Sequence, residues 1–170
     1  LKVAVSIPPL STFVTKIAGE NVSIVTIIPP GNSPANYQPS PKEMVKISEA
    51  DIYFTLKLPT EKANILNKIK ELNDNVEIMD LQEKVFTMLP SRQITEHEHG
   101  EEDVEDEVNI DPHIWLSPRR AVIIVEEIRD MIIKLDQANK DVYSKNAEAY
   151  IKEINELDSY ISKEFENKQN

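Results

Sequence analysis

Four short β-branched and apolar runs, each separated from the next by a helical stretch, constrain this chain more than any other feature. They occupy residues 2–7, 22–28, 51–56 and 76–81. After the first comes a helix that Ser11 caps, with Phe13, Val14 and Ile17 on one face and Gly19 at its end. The second gap ends in a helix over 41–50 that starts at Ser40-Pro41 and turns Met44 and Ile47 inward; the third holds a helix over 61–72 with Ile65, Leu66, Ile69 and Leu72 inward. Single strands alternating with helices predict an α/β fold in which the strands pair in parallel through helical crossovers. The near-continuous apolar run 22–28 suits a strand covered on both faces. The expectation is a four-stranded parallel sheet with flanking helices, and from Gln82 to Asn109 the pattern lapses.

Two other stretches shape the expected architecture. Residues 29–41 carry five prolines and follow the second strand. A stiff loop there, just beyond the carboxyl end of a strand in an α/β sheet, is either a connector or the wall of a ligand site. Downstream, Ser117-Pro118 opens a helix whose stripe is Ala121, Ile124, Val125, Ile128, Ile132 and Leu135. A longer helix follows, with Tyr143, Ala147, Tyr150, Ile154, Leu157, Ile161 and Phe165 at roughly 3.5-residue spacing. A four-stranded sheet is too small to cover all of that stripe, so its far end is expected to need a further packing partner.

Composition excludes several functions. A formal charge of −11 is unsuited to nucleic acid, whose phosphates demand a basic face, and is compatible with a cation as ligand. With no cysteine there is neither a disulfide framework nor a thiolate metal site. No run approaches the roughly 20 apolar residues of a membrane helix. The chain opens directly on a strand, which is how a mature protein reads once a targeting segment has been removed, or how a trimmed chain reads.

Chemistry-bearing residues concentrate between Glu96 and Arg120. All 3 histidines, His97, His99 and His113, lie there with the only tryptophan and the densest run of carboxylates. Imidazoles and carboxylates together are a divalent metal's ligand set. The competing reading for His97 and His99 is a solvated acidic loop. His113 differs, standing in the rigid run Asp111-Pro112-His113-Ile114-Trp115-Leu116-Ser117-Pro118 at a helix start. Trp115 is expected to pack beneath that run, and Arg119 and Arg120, placed against the helix dipole, to pair with nearby carboxylates, those of the acidic loop among them.

That run resembles a family, the zinc- and manganese-binding receptors of bacterial ABC importers (the ZnuA/TroA-like solute-binding proteins). The resemblance extends to Pro30-Gly31 leading to Ser33-Pro34 and Tyr37, to Ala50-Asp51 at a strand start, to Pro59 and Glu61 after that strand, and to Asn146-Ala147-Glu148-Ala149-Tyr150. It implies two α/β lobes joined by a long spine helix, with a metal held between them. Residues 1–118 would then be an amino-terminal lobe with an acidic, histidine-bearing loop at 92–109. Residues 119–170 would be a helical segment ending in the spine, with the second lobe absent. The implied function is non-enzymatic: an extracytoplasmic, lipid-anchored or periplasmic receptor that delivers Zn2+, or alternatively Mn2+, to an ABC permease.

The resemblance also sets expectations at the site. His113 would be one ligand, and His97 and His99 secondary metal-gathering groups. At the place of the family's first histidine ligand stand Ala35, which cannot coordinate, and Asn36, whose amide oxygen is a poor substitute. Lys57 occupies a place where a glycine is expected. Three readings of the altered site stand: His97 and His99 replace the lost ligand, the solute has changed, or the chain is an altered paralogue that binds metal weakly; separately, a single lobe is not expected to hold the metal well by itself. An interaction module is the alternative class, with self-association through the exposed spine stripe. A metal-assisted hydrolase lacks support, since there is no HExxH run and no serine or cysteine nucleophile motif.

Overall fold

The structure is a computed structural model and describes residues 1–90 and 111–166. The expected loop 92–109, with His97 and His99, lies outside the described residues. Four strands, β1 (Lys2–Val5), β2 (Ser23–Thr26), β3 (Ile52–Thr55) and β4 (Glu77–Asp80), form one parallel sheet in the order β2-β1-β3-β4. Consecutive residues of β1 and β3 are buried, so both faces of the central pair are covered. β2 and β4 are sheet edges and only half-buried, which corrects the expectation that the second strand is covered on both faces. Its apolar run does continue to pair beyond Thr26, with the Ile27 and Ile28 amides donating to the carbonyls of Val5 and Ser6 at 2.9 and 3.0 Å.

The strand order carries a functional consequence. From β1 the chain moves outward to β2, then crosses back to β3 on the other side of β1. The direction of winding therefore reverses between β1 and β3, and the crevice at their carboxyl ends is where α/β sheets bind ligands.

Among the described residues, six α-helices accompany the sheet. α1 (Pro8–Ala18) begins at Pro8 rather than at Ser11: the two prolines sit where a helix has no use for an N–H, so they start the helix as well as ending the strand. It closes at Gly19, whose φ of 58° lies in the region glycine favours. α2 (Pro41–Ser48) starts with a reciprocal capping box between Ser40 and Glu43. The third helical segment divides into a π-helical turn, Glu61–Ile65, and α3 (Leu66–Leu72), and Leu72 is 57% exposed rather than inward. α4 (Leu81–Met88) was not expected, though Asp80 caps it by accepting from the Glu83 amide at 3.0 Å. Leu81 and Val85 face the core on a one-turn spacing that the sequence does contain.

α5 (Pro118–Leu135) and α6 (Lys140–Glu166) fix the orientation of everything else. Lys134, near the end of α5, pairs with Glu77 at the start of β4 at 3.2 Å, so α5 finishes at the amino edge of the sheet and begins at its carboxyl edge. α6 turns back beside it. Tyr143 donates to Asp136 at 2.6 Å, Asn146 to the Ile17 carbonyl at 3.0 Å, and Lys16 pairs with Glu153 at 3.2 Å. By Asp158, which meets Arg119 at 3.3 Å, α6 has reached the carboxyl edge. Its remaining residues reach about 12 Å further at 1.5 Å per residue. There Leu157, Tyr160 and Phe165 are 51%, 62% and 65% exposed, whereas Tyr143, Ala147 and Ile154 are buried against α1 and α5.

Candidate functional site

Three segments converge on the carboxyl edge: the chain after β1, the proline-rich loop after β2, and the turn after β3. Their meeting point is a buried polar cluster. Ser6, immediately after β1, and Tyr53 within β3 are both fully buried, as is Glu61 at the first position of the π-helical turn. One carboxyl oxygen of Glu61, Oε1, accepts from both the Ser6 and Tyr53 hydroxyls; the other accepts from the Leu58 amide at 2.8 Å. The Ser6 oxygen also accepts from the Leu56 amide at 3.0 Å. Burial pushes the Glu61 carboxyl above its ordinary range, more than the bonds from Ser6, Tyr53 and Leu58 pull it down. The Tyr53 hydroxyl is driven well upward by the same burial and then by the neighbouring carboxyl charge.

The turn after β3 is unusual in its backbone. Lys57 has a φ of 50°, the left-handed region, and is the only non-glycine with positive φ among the described residues. The glycine expected here would occupy that conformation without strain. Lys57 is held in place by its amide, which donates to Thr55 Oγ1 at 2.9 Å, and by its ammonium, which pairs with Asp80 at 2.9 Å. The hydrogen bond and charge of Asp80 raise the Lys57 pKa.

Thr60, in the same turn, holds the proline-rich loop. Its amide donates to the Pro34 carbonyl at 3.4 Å and its hydroxyl to the Tyr37 carbonyl, so it bridges the two residues that flank Ala35 and Asn36. Within the loop, the Asn36 and Tyr37 amides both donate to the Ser33 carbonyl, at 3.3 and 3.1 Å, and the Ala35 amide meets Ser33 Oγ at 3.3 Å. Tyr37 donates its hydroxyl to Glu43 at 3.0 Å. The side chains of Ala35 and Asn36 remain exposed, so the loop is tied by its backbone and presents these two outward.

His113 stands five residues before α5 and therefore at the same edge of the sheet. Its backbone amide and ring Nδ1 both lie against Asp111 Oδ1, at 2.9 and 2.7 Å. The bonds from His113 hold the Asp111 carboxyl below its usual range, so it is ionised near neutral pH and can only accept. Nδ1 therefore carries a ring proton, and in the neutral imidazole the lone pair is on Nε2. This is how a carboxylate orients a histidine for a metal. The imidazole is exposed, and Trp115 lies beside it at 5.2 Å between ring centroids, half-buried against the core as expected. A cavity of about 360 Å³ is lined by Asp111, His113, Leu116, Ser117 and Arg120. A nearby carboxylate partner is found for Arg119, and any partner in the loop 92–109 lies outside the described residues. Arg119 pairs with Asp158 of α6, while Arg120 donates to the Pro90 carbonyl at 2.8 Å and lies over Phe86.

The structure thus brings Asp111 and His113 together, and sets Ala35 and Asn36 on a loop at the same edge. Among the described residues, no group of three or more histidine, aspartate or glutamate side chains is close enough to hold a metal ion. Sequence reasoning had marked Glu61 as a resemblance position only and missed Ser6, Tyr53, Thr60 and Asp80. The available signal was a glutamate in the short turn that follows the buried strand β3, where a carboxyl group set against the sheet needs partners.

Comparison with known proteins agrees with this fold. A family described as "ZnuA: Zinc-uptake complex component A periplasmic" matches residues 3–170. The zinc-binding lipoprotein AdcA of Streptococcus pneumoniae is 32% identical over 164 residues, 93% of this chain and 31% of that protein. The manganese ABC transporter substrate-binding lipoprotein PsaA of Streptococcus pneumoniae is 30% identical over 169 residues, 98% of this chain and 52% of that protein. A crystal structure of a ZnuA deletion mutant with zinc bound superimposes with a TM-score of 0.80 at 28% identity, covering 96% of this chain and 57% of that one. The chain spans from 31% to 52% of the length of these two curated relatives. With the family match running over nearly every residue and the fold reproduced, the chain belongs to the ZnuA family of zinc-uptake complex components.

Proposed function

We propose that this chain is the amino-terminal lobe and linking helix of an extracytoplasmic, lipid-anchored solute-binding protein that captures a divalent transition metal and hands it to an ABC permease. Zinc is the preferred cargo over manganese. The observation that carries this reading is the Asp111–His113 pair, in which a carboxylate fixes Nδ1 and leaves Nε2 to coordinate. A neutral imidazole suits zinc better than it suits manganese, which favours oxygen ligands. The names of the relatives support the class of cargo, AdcA for zinc and PsaA for manganese. Residues 1–118 form the metal-facing lobe in this reading, and α6 is the spine that carries the chain beyond the carboxyl edge toward the rest of the site. His97 and His99 gather metal for His113. No covalent chemistry is involved: the protein binds, orients and releases the ion.

A second reading, a site altered toward another solute, rests on Ala35, whose methyl group occupies an outward place on the tethered loop at the carboxyl edge. One calorimetric experiment separates the two. Zinc and manganese chloride are titrated into the chain, into His113→Ala and into Ala35→His. The metal reading predicts zinc binding that His113→Ala weakens at least tenfold and that Ala35→His strengthens at least tenfold, about 1.4 kcal/mol each. Zinc binding that neither substitution changes would overturn it.

A further inference from the structure

The buried Glu61 cluster has no part in coordination, and it is the one fully buried ionisable acid among the described residues. A carboxyl group taken out of water at a cost of several kcal/mol and retained only among hydroxyls and an amide is an unusual way to stabilise a fold. Its position suggests a different use. Glu61 joins β1 through Ser6, β3 through Tyr53, and the turn after β3 through the Leu58 amide. That turn is the strained one, with Lys57 in the left-handed region. The residue next to Glu61 is Thr60, 1% exposed, whose amide and hydroxyl hold the carbonyls of Pro34 and Tyr37.

We propose that Glu61 is a positioning residue for the binding loop: its buried carboxyl group locks the turn over residues 57–61 onto β1 and β3, and Thr60 transmits that lock to the loop segment 34–37 that presents Ala35 and Asn36. The inference rests on the metal-capture reading for its purpose, but its structural content stands apart from it. The loop is long and rich in proline, with no strand or helix of its own between Thr26 and Pro41. Its tie to the sheet therefore decides where positions 35 and 36 sit. The chain of contacts has one covalent step, Thr60 to Glu61, and every other link is a named hydrogen bond.

Chemistry dictates the informative substitutions. In Glu61→Gln the amide has one oxygen and one NH2 group, so either the Leu58 N–H or the hydroxyl pair faces a donor. With the amide oxygen on the Leu58 N–H, the NH2 group faces the Ser6 and Tyr53 hydroxyls, which can no longer donate there; Ser6 already accepts from the Leu56 amide, so the ties to β1 and β3 weaken and the turn loosens. Thr60→Val removes the hydroxyl bond to Tyr37 and leaves the Glu61 cluster intact.

The test is amide hydrogen exchange on the metal-free chain, read at Asn36 and Tyr37 and, as reference, at Ile124 and Ile128 in α5. Both variants are expected to exchange at least fivefold faster at Asn36 and Tyr37, with the α5 amides altered less than twofold by Thr60→Val. The double variant should be no faster in the loop than Glu61→Gln alone, because the two residues act in one line. Zinc affinity should fall at least threefold in both single variants. Loop exchange that Thr60→Val leaves unchanged would overturn the proposal, even if Glu61→Gln failed to fold. So would a Glu61→Gln variant whose loop and α5 amides accelerate together, since that is global destabilisation. Absence of zinc binding in the unmodified chain would instead overturn the metal reading and leave the exchange result standing.

Discussion

At Lys57 the backbone conformation and the side chain make opposite demands. The φ of 50° costs a non-glycine residue of order 1 kcal/mol, while the ion pair to Asp80, with the lysine 42% exposed, returns less than that. Two substitutions separate the terms because both delete the ion pair. Lys57→Gly relieves the backbone and should leave stability within about 1 kcal/mol of the starting chain; Lys57→Val keeps the strain, adds β-branching, and should cost about 1–2 kcal/mol more than Lys57→Gly in urea unfolding. Equal stabilities for the two would refute the backbone argument. The glycine expectation at this position was right about conformation, and the sequence alone could not show that a lysine had been accepted there, because the compensating partner lies 23 residues away at the end of β4.

Glu61 gives a pH prediction of definite sign. Its folded pKa lies above the ordinary glutamate value of 4.5, so the folded state holds the proton more tightly than the unfolded state does. Stability is then greater below pH 4.5 on this account and falls as pH rises through the raised value. Asp111, Glu43 and Asp136 act the other way: their lowered values contribute stability that is present at neutral pH and lost on acidification below their ordinary range. The two windows adjoin at about the ordinary carboxylate range and so can be separated. From pH 4.5 upward, the unfolding free energy of the starting chain should decline more steeply than that of Glu61→Gln, and matching slopes would contradict the assignment.

At the scale of elements, α6 is one helix with two environments. Ile154 is 7% exposed against the packed part of the fold, whereas Leu157, less than a turn further on, is 51% exposed. Ile154→Ala should therefore cost about 2–4 kcal/mol, and Leu157→Ala no more than about 0.5 kcal/mol, in thermal or urea unfolding. The same apolar spacing covers both residues, so periodicity predicted the helix and its buried stripe but not where burial stops. Element existence was otherwise well written in the sequence. Four strands, the helices after the first three of them, the Ser40-Pro41 start and the span of α6 all follow from local pattern and capping chemistry. The misses share a cause: α4 joins β4 with no intervening turn residues, so its short stripe reads as an extension of the strand, and the first prolines serve a strand end and a helix start at once. The half-buried edges of the sheet were illegible because strand order is a tertiary property.

At the scale of the whole molecule, the site is made by topology. Residues 6, 35–37, 57–61 and 111–113 are scattered over more than a hundred positions, yet strand order and the antiparallel course of α5 place all of them on the carboxyl edge. Motif resemblance identified His113 and the loop carrying Ala35 and Asn36, since those are short runs. It could not find the Ser6–Tyr53–Glu61 cluster, whose members come from three separate segments. The net charge of −11 favours a cation at the mouth of such an edge. The central claim is that Asp111 holds the His113 proton on Nδ1 and leaves Nε2 to take the metal. Its most direct test is the nitrogen-15 NMR signature of the His113 ring, recorded in the chain at neutral pH before and after zinc is added. The account predicts that the neutral ring of the metal-free chain carries its proton on Nδ1, with zinc shifting Nε2. A neutral ring with its proton on Nε2, or one that zinc leaves unchanged, would contradict it.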